Sequence, residues 1–310
     1  MREWLIMLMP YFGRWPRWMN LFVESCKWNP DVRWRFYTDC GEPENKAANV
    51  DYVHLSFEDY KALIRDRLRI AFDPSDPYKL CDLKPSYGDI HARDIAGYRF
   101  FGWGDIDLVY GKINEFYTAE LLASSNALSI RNDMFAGHFA ILRNTRAHRR
   151  AYRRIPGFRE ILEHPHYREM DERAFYRVFH PSEPQLSGLR GLMARFDPCR
   201  RGNVFVQHHS TVLSPKGWID GTMDYPQRWF WKHGRLTNDR DGERKYLCLH
   251  FMRWKTDKYM RNPPVPGEGA WVGLKDIVQA DWRQLAADGF CISPAGITSM
   301  SPTHDLGSSP

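Results

Sequence analysis

Asp105 and Asp107 stand one residue apart in Tyr98-Arg99-Phe100-Phe101-Gly102-Trp103-Gly104-Asp105-Ile106-Asp107-Leu108-Val109-Tyr110-Gly111. Strand alternation would aim both carboxylates to one side, and the flanking glycines let a turn or a ligand approach closely. Two hard oxygen donors at the end of a buried strand bind Mg²⁺ or Mn²⁺ poorly alone, and well when a diphosphate supplies further oxygens. Such a pair suits chemistry in which a cation offsets the negative charge developing on a departing diphosphate.

Other chemistry-bearing residues flank this pair. Lys79 and Asp82 are spaced i, i+3 on one face of Pro77-Tyr78-Lys79-Leu80-Cys81-Asp82-Leu83-Lys84. A lysine ammonium such as that of Lys79 or Lys84 can meet a diphosphate as a point charge. Asp171-Glu172 is a second carboxylate pair, able to take a proton from a hydroxyl within hydrogen-bond reach. His250 lies in Tyr246-Leu247-Cys248-Leu249-His250-Phe251-Met252-Arg253-Trp254-Lys255. An imidazole beside the aspartates would tilt preference from Mg²⁺ toward Mn²⁺.

These residues need a scaffold, and the apolar pattern supplies one. Strands are predicted at 4–9, 33–38, 51–55, 98–101 continuing through 107–110, 126–130, 138–143, 203–207 and 246–251. A helix is predicted over 15–28, with Trp18, Leu21, Phe22 and Cys26 at helical spacing and a stop at Asn29-Pro30. A second is predicted over 57–71, and a third segment over 77–91 interrupted by Pro85. Alternating strands and helices predict an α/β fold, a mixed sheet flanked by helices, with residues 1–260 as the main domain. Residues 261–310 read as an appendage: a Pro-rich loop at 262–267, a short helix within 274–288 and a disordered tail from Ser299.

Composition narrows the class. The chain has 310 residues, of which 43% are hydrophobic and 26% charged, enough for one large core. The aromatic share of 15% supplies rings that fill cores and also stack on sugars and bases. The six cysteines lack any CxxC pair, which argues against a zinc site and a disulfide framework. No apolar run reaches the roughly 18–20 residues of a membrane span, and residues 4–9 are too short for a secretory core, so a cytoplasmic setting is expected. The net charge of +6 concentrates between Arg143 and Arg177, where ten arginines face five acids. Arg146, Arg149, Arg150, Arg153 and Arg154 at helical spacing predict one basic face, a contact for anionic lipid at the inner membrane surface or for a phosphate-bearing acceptor. Nucleic acid is not expected as a partner, because the remainder is electrically balanced and carries no nucleic-acid motif.

The block from Pro77 to Gly88 and the block from Gly97 to Gly111 resemble a group of bacterial proteins of GT-A glycosyltransferase type, as do Pro10-Tyr11-Phe12-Gly13, Ser25-Cys26 with Asn29-Pro30, and Phe36-Tyr37-Thr38-Asp39. The resemblance implies a Rossmann-like, GT-A-like fold that binds a nucleotide sugar, with UDP the expected carrier. Tyr11, Phe12 and Gly13 would then lie at the nucleotide, with Thr38 and Asp39 nearby. Lys79, Asp82 and Lys84 would contact sugar and diphosphate, and Asp171 or Glu172 the acceptor hydroxyl. By similarity to glycogenin-like and lipopolysaccharide sugar transferases, His250 would complete the metal site of Asp105 and Asp107. Lys255, five residues on instead of six, would touch the diphosphate. The implied activity is metal-dependent transfer of a sugar to a glycan or lipid-linked glycan in bacterial surface polysaccharide biosynthesis. Two rivals remain open: a phosphohydrolase using Asp105 in a DxDx[TV] pattern, and a non-catalytic glycan-binding protein.

Overall fold

The computed structural model describes residues 4–180, 196–214, 216–255, 270–271 and 273–300. The expected loop at 262–267 and the tail beyond residue 300 lie outside them. The first strand, β1 (Leu5–Pro10), is apolar along its whole length because both its faces are covered. Ile6 and Leu8 enter one core, and Leu5, Met7 and Met9 the other. Helix α1 (Met19–Lys27) lays Met19, Phe22, Val23 and Cys26 onto the second core at helical spacing. Helix α2 (Phe57–Leu68) lays Tyr60, Ile64 and Leu68 onto the first. Ser56 starts α2 by accepting the backbone N–H of Asp59 at 3.0 Å, a cap of about 1 kcal/mol.

The main sheet adds β2 (Val32–Thr38), β3 (Val50–His54), β4 (Phe100–Gly104), a short β5 (Leu108–Tyr110) that leaves it, β6 (Ala127–Ser129), β7 (Phe139–Arg143) and β8 (Asn203–Phe205). Its seven strands run in the order β3-β2-β1-β4-β7-β6-β8. The first four are parallel, and β7 is antiparallel to both β4 and β6. The chain thus has a mixed α/β architecture with helices on both faces. The order reverses direction at β1, between β2 and β4, and a crevice opens outside the carboxyl ends of strands at such a switch point. Tyr11 and Phe12 follow β1 there, and Asp105 follows β4.

The predicted continuous strand through residue 110 is broken. Gly104 pairs with Phe139 at the first residue of β7, so beyond Gly104 the ladder ends. Asp105 donates its N–H to the His138 carbonyl at 3.1 Å, Ile106 and Asp107 bend, and β5 pairs instead with β11 (Cys248–His250). The two aspartates therefore share a direction through a bend, not through strand alternation.

A four-stranded antiparallel sheet went unpredicted: β9 (Trp229–Lys232), β10 (Arg235–Asn238), β12 (Phe290–Ser293) and β13 (Gly296–Ser299), in the order β10-β9-β12-β13. Ser299, expected to open a disordered tail, closes β13 instead. His233 and Gly234 join β9 to β10 with φ of 49° and 77°. Two successive positive values are what a type I′ hairpin turn requires. Strand pairing thus crosses the expected boundary at residue 260. The helix foreseen within 274–288 covers Trp282–Asp288.

The Arg-rich segment is not one helical face. It breaks into the turn Arg146–Arg149 and the 3₁₀ turn Ala151–Arg154. Arg149 donates to Asn144, Arg150 and Arg153 share Asp89, and Arg154 grips Asp197 with both terminal nitrogens. These guanidiniums tie the segment to its neighbours. Among the described residues no helix is long and apolar enough to cross a membrane, and all six cysteines are free thiols.

Close packing between β1, β4 and β7 makes one further point testable. A Cβ on Gly102 would lie 2.5 Å from the Ala140 carbonyl oxygen and 2.8 Å from Met7 Sδ. Gly102→Ala is expected to lower unfolding free energy by about 2 kcal/mol, measured by chemical denaturation, because backbone cannot yield as a side chain can.

Candidate active-site cleft

Strand register builds the centre of the site. β11 pairs with β5 so that His250 stands opposite Leu108, the residue after Asp107, and Phe251 donates its N–H to the Asp107 carbonyl. Ligand atoms of Asp105, Asp107 and His250 all lie within 4.8 Å of one another. Nε2 of His250 is 3.4 Å from Asp107 Oδ2, buried, and without a well-formed hydrogen bond. Its Nδ1 lies 3.2 Å from Thr211 Oγ1. A cation between the carboxylates would need the tautomer in which Nδ1–H donates to Thr211 and Nε2 presents its lone pair to the ion. Two hard carboxylates and one imidazole, whose buried Nε2 is orphaned, fit a divalent cation of the Mn²⁺ or Mg²⁺ type. His138 stacks on His250 with ring centroids 4.1 Å apart, and its Nε2 lies 3.4 Å from Thr211 Oγ1. Burial, then the His250 ring beside it, holds His138 well below the ordinary imidazole range.

Thr211 therefore fixes the orientation of the His250 ring. Thr211→Val is expected to weaken binding of a divalent cation at these three side chains by about 10–100-fold, read by titration calorimetry with Mn²⁺.

Two lysines neutralise the aspartates. Lys84 Nζ is 2.6 Å from Asp105 Oδ1, and Lys255 Nζ is 2.8 Å from Asp107 Oδ2. Burial acts to push Asp107 up, but Lys255 and His250 together outweigh it and hold the carboxyl well below its usual range. Burial likewise draws Lys84 down, and Asp105, Cys81 and Asp171 together reverse it, so its net shift is upward. Both ammonium groups stay charged. Without a cation the two Asp–Lys pairs sum to zero.

A second acidic wall faces this centre. Asp171 and Glu172 sit on a π-helical turn, Met170–Ala174, a backbone form frequent at functional sites. Asp171 accepts from Tyr167 Oη at 2.9 Å and lies 3.7 Å from Lys84 Nζ. Burial pushes the Asp171 carboxyl up to about 7, with Lys84 opposing and Glu172 adding to the rise. Glu172 is also raised, chiefly by burial. Gly137 admits this approach, since a Cβ there would lie 2.9 Å from Asp171 Oδ2 and 3.4 Å from Glu172 Oε1.

A cleft of about 770 Å³ joins these parts and is lined by Tyr11, Phe12, Lys84, Asp105, Asp107, Asp171, Glu172, His250 and Lys255. Nine of the residues singled out in the sequence thus converge. Gly13, Thr38 and Asp39 are not part of the lining: Gly13 and Asp39 are exposed, with the Gly13 N–H donating to Asp39 Oδ1, and Thr38 is buried and accepts from the Cys40 N–H. Lys79 and Asp82 do not reach the cleft, being fully buried against each other at 2.7 Å. Tyr167, Thr211 and the Arg131–Asp133–Lys216 ion cluster on the cleft wall carry no sequence signal, because each joins the site through tertiary contact alone.

Fold and site together define an α/β protein with a carboxylate–imidazole seat at the switch point of its sheet. The chain belongs to the family of unknown function DUF6625, whose model matches residues 7–269. No curated protein matches it in sequence. Solved structures of similar shape include mouse xyloside xylosyltransferase 1 in its apo form, 9% identical, with 81% of this chain and 98% of that chain covered at a TM-score of 0.37. Another is the galactosyltransferase LgtC in complex with donor and acceptor sugar analogues, 9% identical, with 66% and 75% covered at a TM-score of 0.33. Both are likenesses of outline alone, so the chemistry has to come from the cleft.

Proposed function

We propose that this chain is a metal-dependent glycosyltransferase that moves a sugar from a nucleoside diphosphate sugar, with UDP as the carrier, to a hydroxyl of a glycan. One observation carries the reading: Asp105, Asp107 and the orphaned Nε2 of His250 converge at the sheet's switch point between two charged lysines. A divalent cation bound there would supply positive charge to the leaving diphosphate. Lys84 and Lys255 would add theirs as the glycosidic bond breaks, because each can turn from its aspartate toward phosphate oxygens. Tyr11 and Phe12, at the end of β1, offer ring faces and backbone to the base and ribose. Asp171, across the cleft, is placed to take the acceptor proton, with Glu172 beside it. This acid pair suits an acceptor approaching from the wall opposite β1.

The neutral sum of the two Asp–Lys pairs bears on how ligands load. A cation alone would leave two positive charges unmatched beside two ammonium groups, whereas cation and diphosphate together nearly cancel. Metal and nucleotide should therefore bind cooperatively, each raising the affinity of the other by the same factor. Calorimetric titration of UDP with and without Mn²⁺ tests the function. Metal-dependent UDP binding is the expected result. Phosphate-ester hydrolysis with no UDP binding would favour the phosphohydrolase, and sugar binding that needs neither would favour the glycan-binding protein.

A further inference from the structure

The expectation that Lys79 and Asp82 contact the donor fails on burial, yet both side chains are fully engaged. Lys79 Nζ donates to Asp82 Oδ2 at 2.7 Å, to the Ile161 carbonyl at 2.7 Å and to the His166 carbonyl at 3.0 Å. Those three bonds use all the protons of an ammonium group. Asp82 accepts the backbone N–H of Arg168 on Oδ2 and that of Met170 on Oδ1, both at 2.8 Å. Both side chains are 0% exposed.

The backbone they hold is the one that delivers the acid pair. Glu169, between the two captured amides, has φ of 58°, a left-handed conformation that a non-glycine residue adopts at a cost. The π-helical turn with Asp171 and Glu172 starts at the next residue. Tyr167, also inside the held stretch, makes the hydrogen bond to Asp171. A short charged pair bonding four backbone groups along one segment is more than neutralisation requires.

We propose that Lys79 and Asp82 are positioning residues that clamp residues 161–170, so that the strained turn aims Asp171 and Glu172 into the cleft opposite the metal seat. The importance of that aim rests on the glycosyltransferase reading; the clamp itself does not. Groups facing Asp171 are Lys84, Tyr167, Glu172, Asp105, Cys81 and Tyr87; of these, Cys81 also feels the Asp82 charge.

The test compares wild type, Asp82→Asn, and the double variant Lys79→Met with Asp82→Asn. The double variant removes both charges at once, so it separates relaxation of the turn from the lost Asp82 charge, and it stands in where the single change, which strands a buried ammonium, does not fold. Carboxyl ¹³C NMR follows Asp171, identified by the resonance missing from Asp171→Asn. Mn²⁺–UDP affinity and steady-state kinetics are measured alongside. The clamp predicts that Asp171 titrates about one pH unit lower once the turn relaxes toward water. It also predicts unchanged Mn²⁺–UDP affinity and a kcat about 10²-fold lower at similar donor KM. An unmoved Asp171 titration in a folded variant overturns the proposal, and so does a parallel loss of Mn²⁺–UDP affinity, which would mark a general collapse of the cleft. Wild type that binds no Mn²⁺–UDP would defeat the proposed function instead, while the Asp171 titration still decides the clamp.

Discussion

Asp107→Asn is expected to abolish metal-dependent UDP binding and to reduce sugar transfer or donor hydrolysis by on the order of 10³-fold, the effect of removing a charge-stabilising group aimed at the transition state. The expectation comes from where Asp107 sits. It is buried, held ionised by Lys255 and His250, and one carboxylate oxygen faces both the lysine and the imidazole. The amide keeps the shape and loses the charge. Lys255, about a third exposed, can turn to solvent when its partner is neutralised, so the fold should survive. Circular dichroism and calorimetry on the same sample separate the two effects. Unchanged turnover in a folded Asp107→Asn protein would remove the metal seat from the mechanism.

The second large effect concerns Asp171. Its carboxyl is pushed up to about 7 because burial disfavours the anion. A base must be deprotonated to act, so turnover should rise with pH through about 7. Asp171→Asn should flatten that rise and cost about 10²–10⁴-fold in kcat. Stability supplies an independent reading with a defined sign. The folded-state pKa lies above the ordinary value of 3.8, so the folded protein holds this proton more tightly than the unfolded chain. The stabilisation from that proton is complete below about 3.8 and is lost as pH rises through about 7. The asparagine variant, which never ionises, should therefore lose less stability between roughly pH 5 and pH 8 than wild type. Parallel denaturation curves for the two proteins would contradict a buried, elevated Asp171.

Much of this was legible in the sequence where chemistry and pattern are local. The apolar run at 4–9 declared a buried strand, found at Leu5–Pro10, and α1 showed its spacing and its Asn29-Pro30 stop. Asp105 and Asp107 were identifiable by type and spacing, and His250 and Lys255 through the family resemblance, although only the register of β11 on β5 explains why they meet. The bend at residues 105–107 was hidden because its cause is the end of β7, a strand more than thirty residues away. The sheet of β9, β10, β12 and β13 was hidden for a similar reason: its strands are four residues long, and its two hairpins meet only where β9 pairs with β12, about sixty residues further along the chain. Lys79 and Asp82 illustrate the limit most sharply. Their i, i+3 spacing correctly paired them, but nothing in it revealed the backbone of residues 161–170 that both side chains hold. Arg149, Arg150, Arg153 and Arg154 likewise looked like one surface until Asn144, Asp89 and Asp197 were found against them.

Anomalous diffraction at the manganese edge, from crystals grown with UDP and Mn²⁺, tests the central claim most directly. The account predicts a single strong peak bridging Asp105, Asp107 and Nε2 of His250, in contact with the diphosphate and with Lys84 and Lys255 turned toward its oxygens. UDP bound in the cleft with no manganese between those three side chains would contradict it.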